Sequence, residues 1–179
     1  MLKPSDYFNY FRSLAIAHQE LQHDPLSELG NDPEKKKSFA RFSMEEMLLG
    51  IFAKMKFPCL LVDLYELQAS GNNDVIDGNC NGAITILQKA DPESASEMQT
   101  AFDTAARILE QLLQQMYADH NNEEAPCTSM MESIAFEKLK IVPVGPVGDK
   151  EFGYRCEFDF KLRNKLSITT PPATGVFVI

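Results

Sequence analysis

Phe152-Gly153-Tyr154-Arg155-Cys156-Glu157-Phe158-Asp159-Phe160-Lys161-Leu162 is the stretch whose reading decides the fold. Its even positions are apolar or aromatic, and its odd positions are charged or glycine. Successive strand residues point to opposite faces, so a strand turns this alternation into one greasy face and one wet face; a helix would mix them. An aromatic row of that length needs an apolar cover. Residues 95–116 supply one, because Ala95, Met98, Phe102, Ala105, Leu109, Leu112 and Met116 alternate steps of three and four. That spacing predicts one apolar seam along a helix of about six turns. Asp91-Pro92-Glu93 reads as its opening, with aspartate as cap, proline at the first position and an acid in the first turn.

Immediately upstream of the ribbon, Phe136 to Val142 has strand character, and Pro143 to Asp149 is a turn-rich link. The two strands are expected to pair as an antiparallel hairpin with a long loop. Lys138 and Lys140 would then face Glu157 and Asp159 across the wet side, at about a few tenths of a kcal/mol. Pro58 to Leu67 predicts another strand, and Cys59-Leu60-Leu61-Val62, apolar on both faces, predicts a covered, central position. Residues 69–74 have loop composition, and Gly82 to Gln88 predicts a further strand.

At the N-terminal side, residues 5–22 predict a helix capped by Ser5 or Asp6, with Phe8, Phe11, Leu14, Ala15, His18 and Leu21 on one face. His18 on that face reads as a hydrogen-bonded core residue. Residues 22–41 are polar and read as a surface connection. Ser43-Met44-Glu45-Glu46 has the capping-box pattern and predicts a short helix through Met55, stopped by Phe57-Pro58. The fold expected is α+β: an antiparallel or mixed sheet of about four strands on one long helix, with an N-terminal helix and a short second helix. One domain spans 1–162, and an extended arm spans 163–179.

A chain of 179 residues suits one domain with a sizeable core. Seventeen basic and 26 acidic residues give a formal charge of −9. A field of that sign repels phosphate backbones and anionic lipid, so neither nucleic acid nor a membrane surface is expected as partner. The run Lys35 to Lys37 reads as a solvated loop. No stretch approaches the roughly 20 apolar residues of a membrane span. The sequence from Met1 to Asp6 turns polar at once, unlike a secretion signal. Cys59, Cys80, Cys127 and Cys156 are scattered, without CxxC spacing, which points to reduced thiols and the cytosol.

Chemistry-bearing patterns are few. Asp77-Gly78-Asn79-Cys80-Asn81-Gly82 matches the opening of a calcium-binding EF-hand loop, with oxygen ligands at alternate positions and glycine at the sixth. The twelfth position is Gln88, which lacks the bidentate carboxylate, and the flanks are not helices, so a hairpin turn is the expected use. His18, His23 and His120 lie in a helix, a loop and a helix end, with no nucleophile motif beside them. Asp63 with Glu66, and Glu157 with Asp159, are the possible carboxylate pairs; they read as ionised solubilisers. No enzyme, cofactor, metal or small-molecule substrate is therefore expected. The terminal arm carries an apolar, β-prone tip. Pro171, Pro172, Val176, Phe177, Val178 and Ile179 are the candidate interface residues, folding back on their own sheet or lying on a neighbour as an added strand.

The order helix, short helix, two strands, long helix, strand pair and tail resembles small tail-completion (tail-terminator-like) proteins of tailed prophages. The likeness is carried by Tyr7-Phe8 with Leu14-Ala15-Ile16-Ala17-His18, by Phe57-Pro58-Cys59-Leu60, and by Phe152-Gly153-Tyr154-Arg155 leading into Phe158. It implies an α+β sheet backed by helices, and copies assembled in a ring, commonly a hexamer, that caps or joins the tail tube. It implies no catalytic residues. The partners would be the protein itself and other virion or tail proteins, with a cytoplasmic location before assembly and the virion afterwards. The linker at 22–41 and the proline-containing arm depart from that pattern. The alternatives are a monomeric accessory protein-binding module and a calcium-binding module through 77–88.

Overall fold

The computed structural model describes residues 3–28, 34–42, 54–72, 75–122, 130 and 133–166. In chain order the elements are α1 (Pro4–Ala17), β1 (Phe39–Phe42), β2 (Cys59–Asp63), β3 (Glu66–Asn72), β4 (Val75–Lys89), α2 (Ala95–His120), β5 (Lys140–Val147) and β6 (Glu151–Leu166). Short 3-10 turns occupy Pro25–Glu28 and Phe136–Lys138. The fold is α+β, as expected, with a mixed sheet of six strands. Its order is β1-β2-β4-β6-β5, and β3 also pairs with β4. Among the described residues only β1 and β2 run parallel; the other pairings are antiparallel.

The alternation of the deciding stretch is realised from Cys156 to Lys161, whereas Gly153 is buried and Tyr154 and Arg155 are both half-buried. Phe152, Cys156, Phe158 and Phe160 are buried, Tyr154 is half-buried, and Asp159 and Lys161 are exposed. The strand pairs with β4 without a break from Gly78↔Leu162 to Lys89↔Glu151. Its aromatic face is covered by both helices, where the sequence pointed to one. Phe102 of α2 meets Phe152 and Tyr154 edge-on at 6.0 and 5.6 Å. Phe158 and Phe160 lie under α1, against Phe11 at 5.9 Å and Tyr7 at 6.0 Å. Tyr65 closes this aromatic cluster at 5.2 Å from Tyr7 and 5.6 Å from Phe160.

Several boundaries move. Helix α1 starts behind Lys3 with Pro4 in its first turn, and its buried face is Tyr7, Tyr10, Phe11, Leu14 and Ala15. Helix α2 is capped by Ser94, whose hydroxyl accepts from the Glu97 amide at 3.3 Å. The Glu97 carboxylate reaches back to the Asp91 amide at 3.0 Å, so Asp91-Pro92-Glu93 is a turn ahead of the helix. The strand expected over 58–67 breaks at Leu64-Tyr65. Four residue steps separate Val62 from Glu66, while three separate their β4 partners Ile84 and Asn81. That extra residue is a bulge, and it lets β2 and β3 share one side of the long β4.

Loop composition is overridden twice. Residues 69–72, expected as loop, continue β3, and Pro143 to Val147 continue β5 up to a short turn at 148–150. Strand β5 sits at the sheet edge, where prolines are tolerated. Phe136 to Lys138, expected as strand, is a 3-10 turn. The linker at 22–41 holds β1, and buried His23 accepts from the Ser38 amide at 3.3 Å just ahead of it. Strand β6 runs to Leu166, past the expected end of the sheet. The short helix expected at 43–55 falls almost wholly outside the described residues, and so does the arm from 167 onward.

Two glycines mark where the layers touch. A Cβ on Gly82 would lie 2.7 Å from Tyr7 Oη and from the Phe158 ring, and one on Gly153 would lie 1.9 Å from the Ile86 carbonyl oxygen. Side chains can shift, whereas a ladder carbonyl cannot move without opening the sheet. Gly82→Ala is therefore expected to lose about 1–3 kcal/mol, and Gly153→Ala more. Urea unfolding of both variants checks the order; an equal or reversed cost contradicts it.

Candidate binding face of the sheet

The sheet face opposite the helices is divided along its length. At one end Ala40, Cys59, Leu61 and Leu87 form a second apolar cluster with Met55 beneath Phe57, Val144 and Val147. This explains why Cys59-Leu60-Leu61-Val62 is apolar throughout: alternate members face the two clusters, and all four are buried.

At the other end the face is polar and concave. Arg155, on β6, donates from Nη2 to Asp63 Oδ2 at 2.6 Å and from Nε to Glu157 Oε1 at 3.2 Å. Lys140 Nζ, directly across from Glu157 in the β5–β6 register, donates to its Oε2 at 3.0 Å. Asn81 Nδ2 donates to Asp159 Oδ1 at 2.5 Å. These groups surround a pocket of about 370 Å³ that also reaches Glu66 and Lys138. A second hollow of about 280 Å³ shares Asn81, Lys138 and Asp159 with it. All four carboxylates singled out in the sequence, Asp63, Glu66, Glu157 and Asp159, thus line one pocket.

Electrostatics fix the state of Glu157 and of Tyr7 beneath it. Lys140, and then Arg155, hold the Glu157 carboxyl below the usual carboxylate range. Glu157 is therefore an anion near neutral pH, suited to holding a cationic group and unsuited to donating a proton. Burial, and next the neighbouring Asp63 charge, push the Tyr7 phenol far above its ordinary range, so it stays neutral. Asp63 Oδ1 is buried and accepts no hydrogen bond among the described residues. Cys59, Cys80 and Cys156 are buried free thiols. Burial pushes Cys80 and Cys156 up to about 11 and Cys59 further, which leaves no reactive thiolate there near neutral pH.

The remaining sequence candidates are dispersed. Residues 77–82 lie inside β4; those up to Asn81 pair with β3 on one side, and Gly78 onward pair with β6 on the other. An extended strand sends alternate side chains to opposite faces, so neither the EF-hand wrap nor the hairpin turn is formed there. His18 is not in the core. It caps the C-terminus of α1, its Nδ1 accepts from the Glu20 amide at 3.2 Å, and its Nε2 meets Gln111 Oε1 at 2.9 Å. His120 ends α2, stacked on Tyr117 at 6.1 Å. Pro171, Pro172, Val176, Phe177, Val178 and Ile179 lie outside the described residues. Among the described residues no three His, Cys, Asp or Glu side chains are grouped to hold a metal ion, and no helix is long and apolar enough to cross a membrane.

Between the helices runs a groove of about 730 Å³, with Leu14, Ala17 and Leu112 among its apolar lining and Gln111 and Gln115 among its polar lining. Tyr10 Oη donates to Asp119 Oδ2 at 2.8 Å across it. Arg107 grips Glu20 with both terminal nitrogens, the Nη2–Oε2 distance being 2.8 Å. That contact holds the Glu20 carboxyl below its ordinary range.

Glu20 and Glu157 release their protons more readily in the folded chain than in the unfolded one. The stability they add is full above the ordinary carboxylate range and is lost as pH falls through their depressed folded values. Between about pH 7 and pH 3, the melting temperature of the unaltered protein should therefore fall more steeply than that of Glu20→Gln/Glu157→Gln. Parallel curves in circular dichroism melts would show that these pairs do not couple to folding.

No protein-family model matches this chain, and no curated protein is similar to it in sequence at a significant level.

Proposed function

We propose that the protein is a structural subunit of a phage-derived tail, working at tail completion or at the head–tail junction by association with copies of itself and with other tail proteins. The prophage setting comes from the sequence resemblance described above. On this reading the chain is cytoplasmic before assembly and part of the virion afterwards.

The physical support is the difference between the two sides of the sheet. Strand β5 is a blunted edge: it contains Pro143 and Pro146, which have no N–H to donate, and Gly145 with φ 139°. Its register with β6 also breaks between Val144 and Val147. Prolines and bulges are the devices by which sheets prevent edge-to-edge pairing. Strand β3, Glu66–Asn72, has none of them. Its sequence Glu-Leu-Gln-Ala-Ser-Gly-Asn carries one charge, Leu67 is 41% exposed, and among the described residues no strand pairs with its outer side. A blunted edge on the β5 side, and a β3 edge that no described strand covers on the other, suit a subunit that adds strands on a chosen side.

A second reading, a monomeric module that grips one partner, is favoured by the part-apolar groove between α1 and α2.

In light scattering the unaltered protein is expected to run as a multimer. Leu67→Lys, which places a charge on the open edge, and deletion of residues 168–179 should each shift it to monomer with an unchanged circular dichroism spectrum. A strict monomer at high concentration before any change contradicts assembly. A monomer whose partner binding survives the deletion favours the second reading.

A further inference from the structure

We propose that the pocket on the polar face of the sheet binds a small primary alkylamine, whose ammonium group is held between Asp63 and Glu66. The inference is independent of the assembly reading.

Three observations carry it. The first is the placement of the two acids. Three residue steps separate Asp63 from Glu66, and in a regular strand that spacing sends side chains to opposite faces. The bulge at Leu64-Tyr65 takes up one of the steps. Asp63 follows Val62, the partner of Ile84, and so lies beside Ala83, while Glu66 lies opposite Asn81. Ala83 and Asn81 are alternate residues of β4, about 7 Å apart, so the two acids reach one face at that spacing. Both line the pocket of about 370 Å³. Re-aiming a side chain toward a site is a recurrent use of a bulge.

The second is what the ion pairs leave over. Arg155 and Lys140 occupy both Glu157 oxygens, and Arg155 also occupies Asp63 Oδ2. Asp63 Oδ1 is buried with no partner among the described residues. The hydroxyl of Tyr7 is unpartnered there too; that side chain is fully buried, and its Oη lies beside Gly82 of the pocket lining. A buried acceptor without a donor is costly, and an incoming N–H recovers that cost. The χ2 torsion of an aspartate is soft, so the carboxylate can turn to serve Arg155 and a ligand together. Lys138 stands just ahead of β5, at the far end of the pocket from Glu66.

The third concerns the kind of ligand. Among the described residues no three His, Cys, Asp or Glu side chains are grouped to hold a metal ion, so the cation is one held by hydrogen bonds. Arg155 already supplies the planar guanidinium. An ammonium is compact and has three donors, enough for Asp63 Oδ1 and the Glu66 carboxylate together. The formal charge of −9 draws cations in and turns anions away.

The test titrates the full chain with butylammonium chloride at neutral pH and low ionic strength, and follows amide shifts by NMR. Sodium chloride and tetramethylammonium chloride are the controls. Saturable shifts centred on Glu66, Asn81 and Ala83 are expected with butylammonium alone, because tetramethylammonium has the charge and no N–H. Glu66→Gln keeps the size of an exposed side chain and should weaken binding about tenfold, as expected for one charge-assisted hydrogen bond. Glu93→Gln removes the same charge ahead of α2, away from the pocket, and should leave the affinity unchanged. No saturable shift with butylammonium overturns the proposal. An equal loss in both variants also overturns it, since that is the behaviour of a general acidic field. Equally tight saturation by tetramethylammonium overturns the hydrogen-bonded site. Binding of Nα-acetyl-lysine amide without binding of butylammonium overturns the small amine in favour of a partner's lysine side chain.

Discussion

The ladder between β4 and β6 is the constraint on which the other contacts depend. It is unbroken from Gly78↔Leu162 to Lys89↔Glu151 and lies at the centre of the sheet. Strands β2 and β3 both attach to the far side of β4, and β5 attaches to β6. One face of the ladder, from Cys80 to Ile86 on β4 and from Phe152 to Phe160 on β6, is the floor on which α1 and α2 rest. The opposite face holds Arg155 and Glu157 at alternate positions, so the same pleat that buries the aromatics organises the ion-paired pocket. Gly82 and Gly153 are points of close approach on this ladder, where a methyl group would collide with the covering layer or with the partner strand.

This dependence explains what is legible in the sequence. The period-two ribbon at 152–162 and the three-four seam of α2 are readable because each is decided by its own residues. So is the Lys140–Glu157 pair, which follows from the hairpin and the alternation together. The stretch at 77–82 is different. Its Asn and Gly residues favour a turn when taken alone, and pairing on both sides overrides that preference. Gly82 reflects the close packing of Tyr7 and Phe158, and Tyr7 lies far away in the chain. Strand β1 is four residues long, too short to show a period, and it follows a lysine-rich linker.

Other features carried a signal that a stronger neighbour concealed. Ser94-Ala95-Ser96-Glu97 has the serine–glutamate spacing of a helix start, but Asp91-Pro92 ahead of it matches another start pattern. The polar pocket is half legible. Arg155, Glu157 and Asp159 share the wet face by alternation, whereas Asp63 and Asn81 reach it from other strands through a register no local pattern specifies. The bulge at Leu64-Tyr65 is legible only in the step count against β4.

Because the helices and the outer strands all lean on one ladder, its amides should open last. Native-state hydrogen exchange tests this most directly. Amides of β4 from Gly82 to Lys89 and of β6 from Glu151 to Phe160 are expected to exchange only through global unfolding, with β3, β5 and the ends of α2 exchanging earlier. Slower exchange in α2 than in the β4–β6 ladder would contradict the account and place the organising element in the helix.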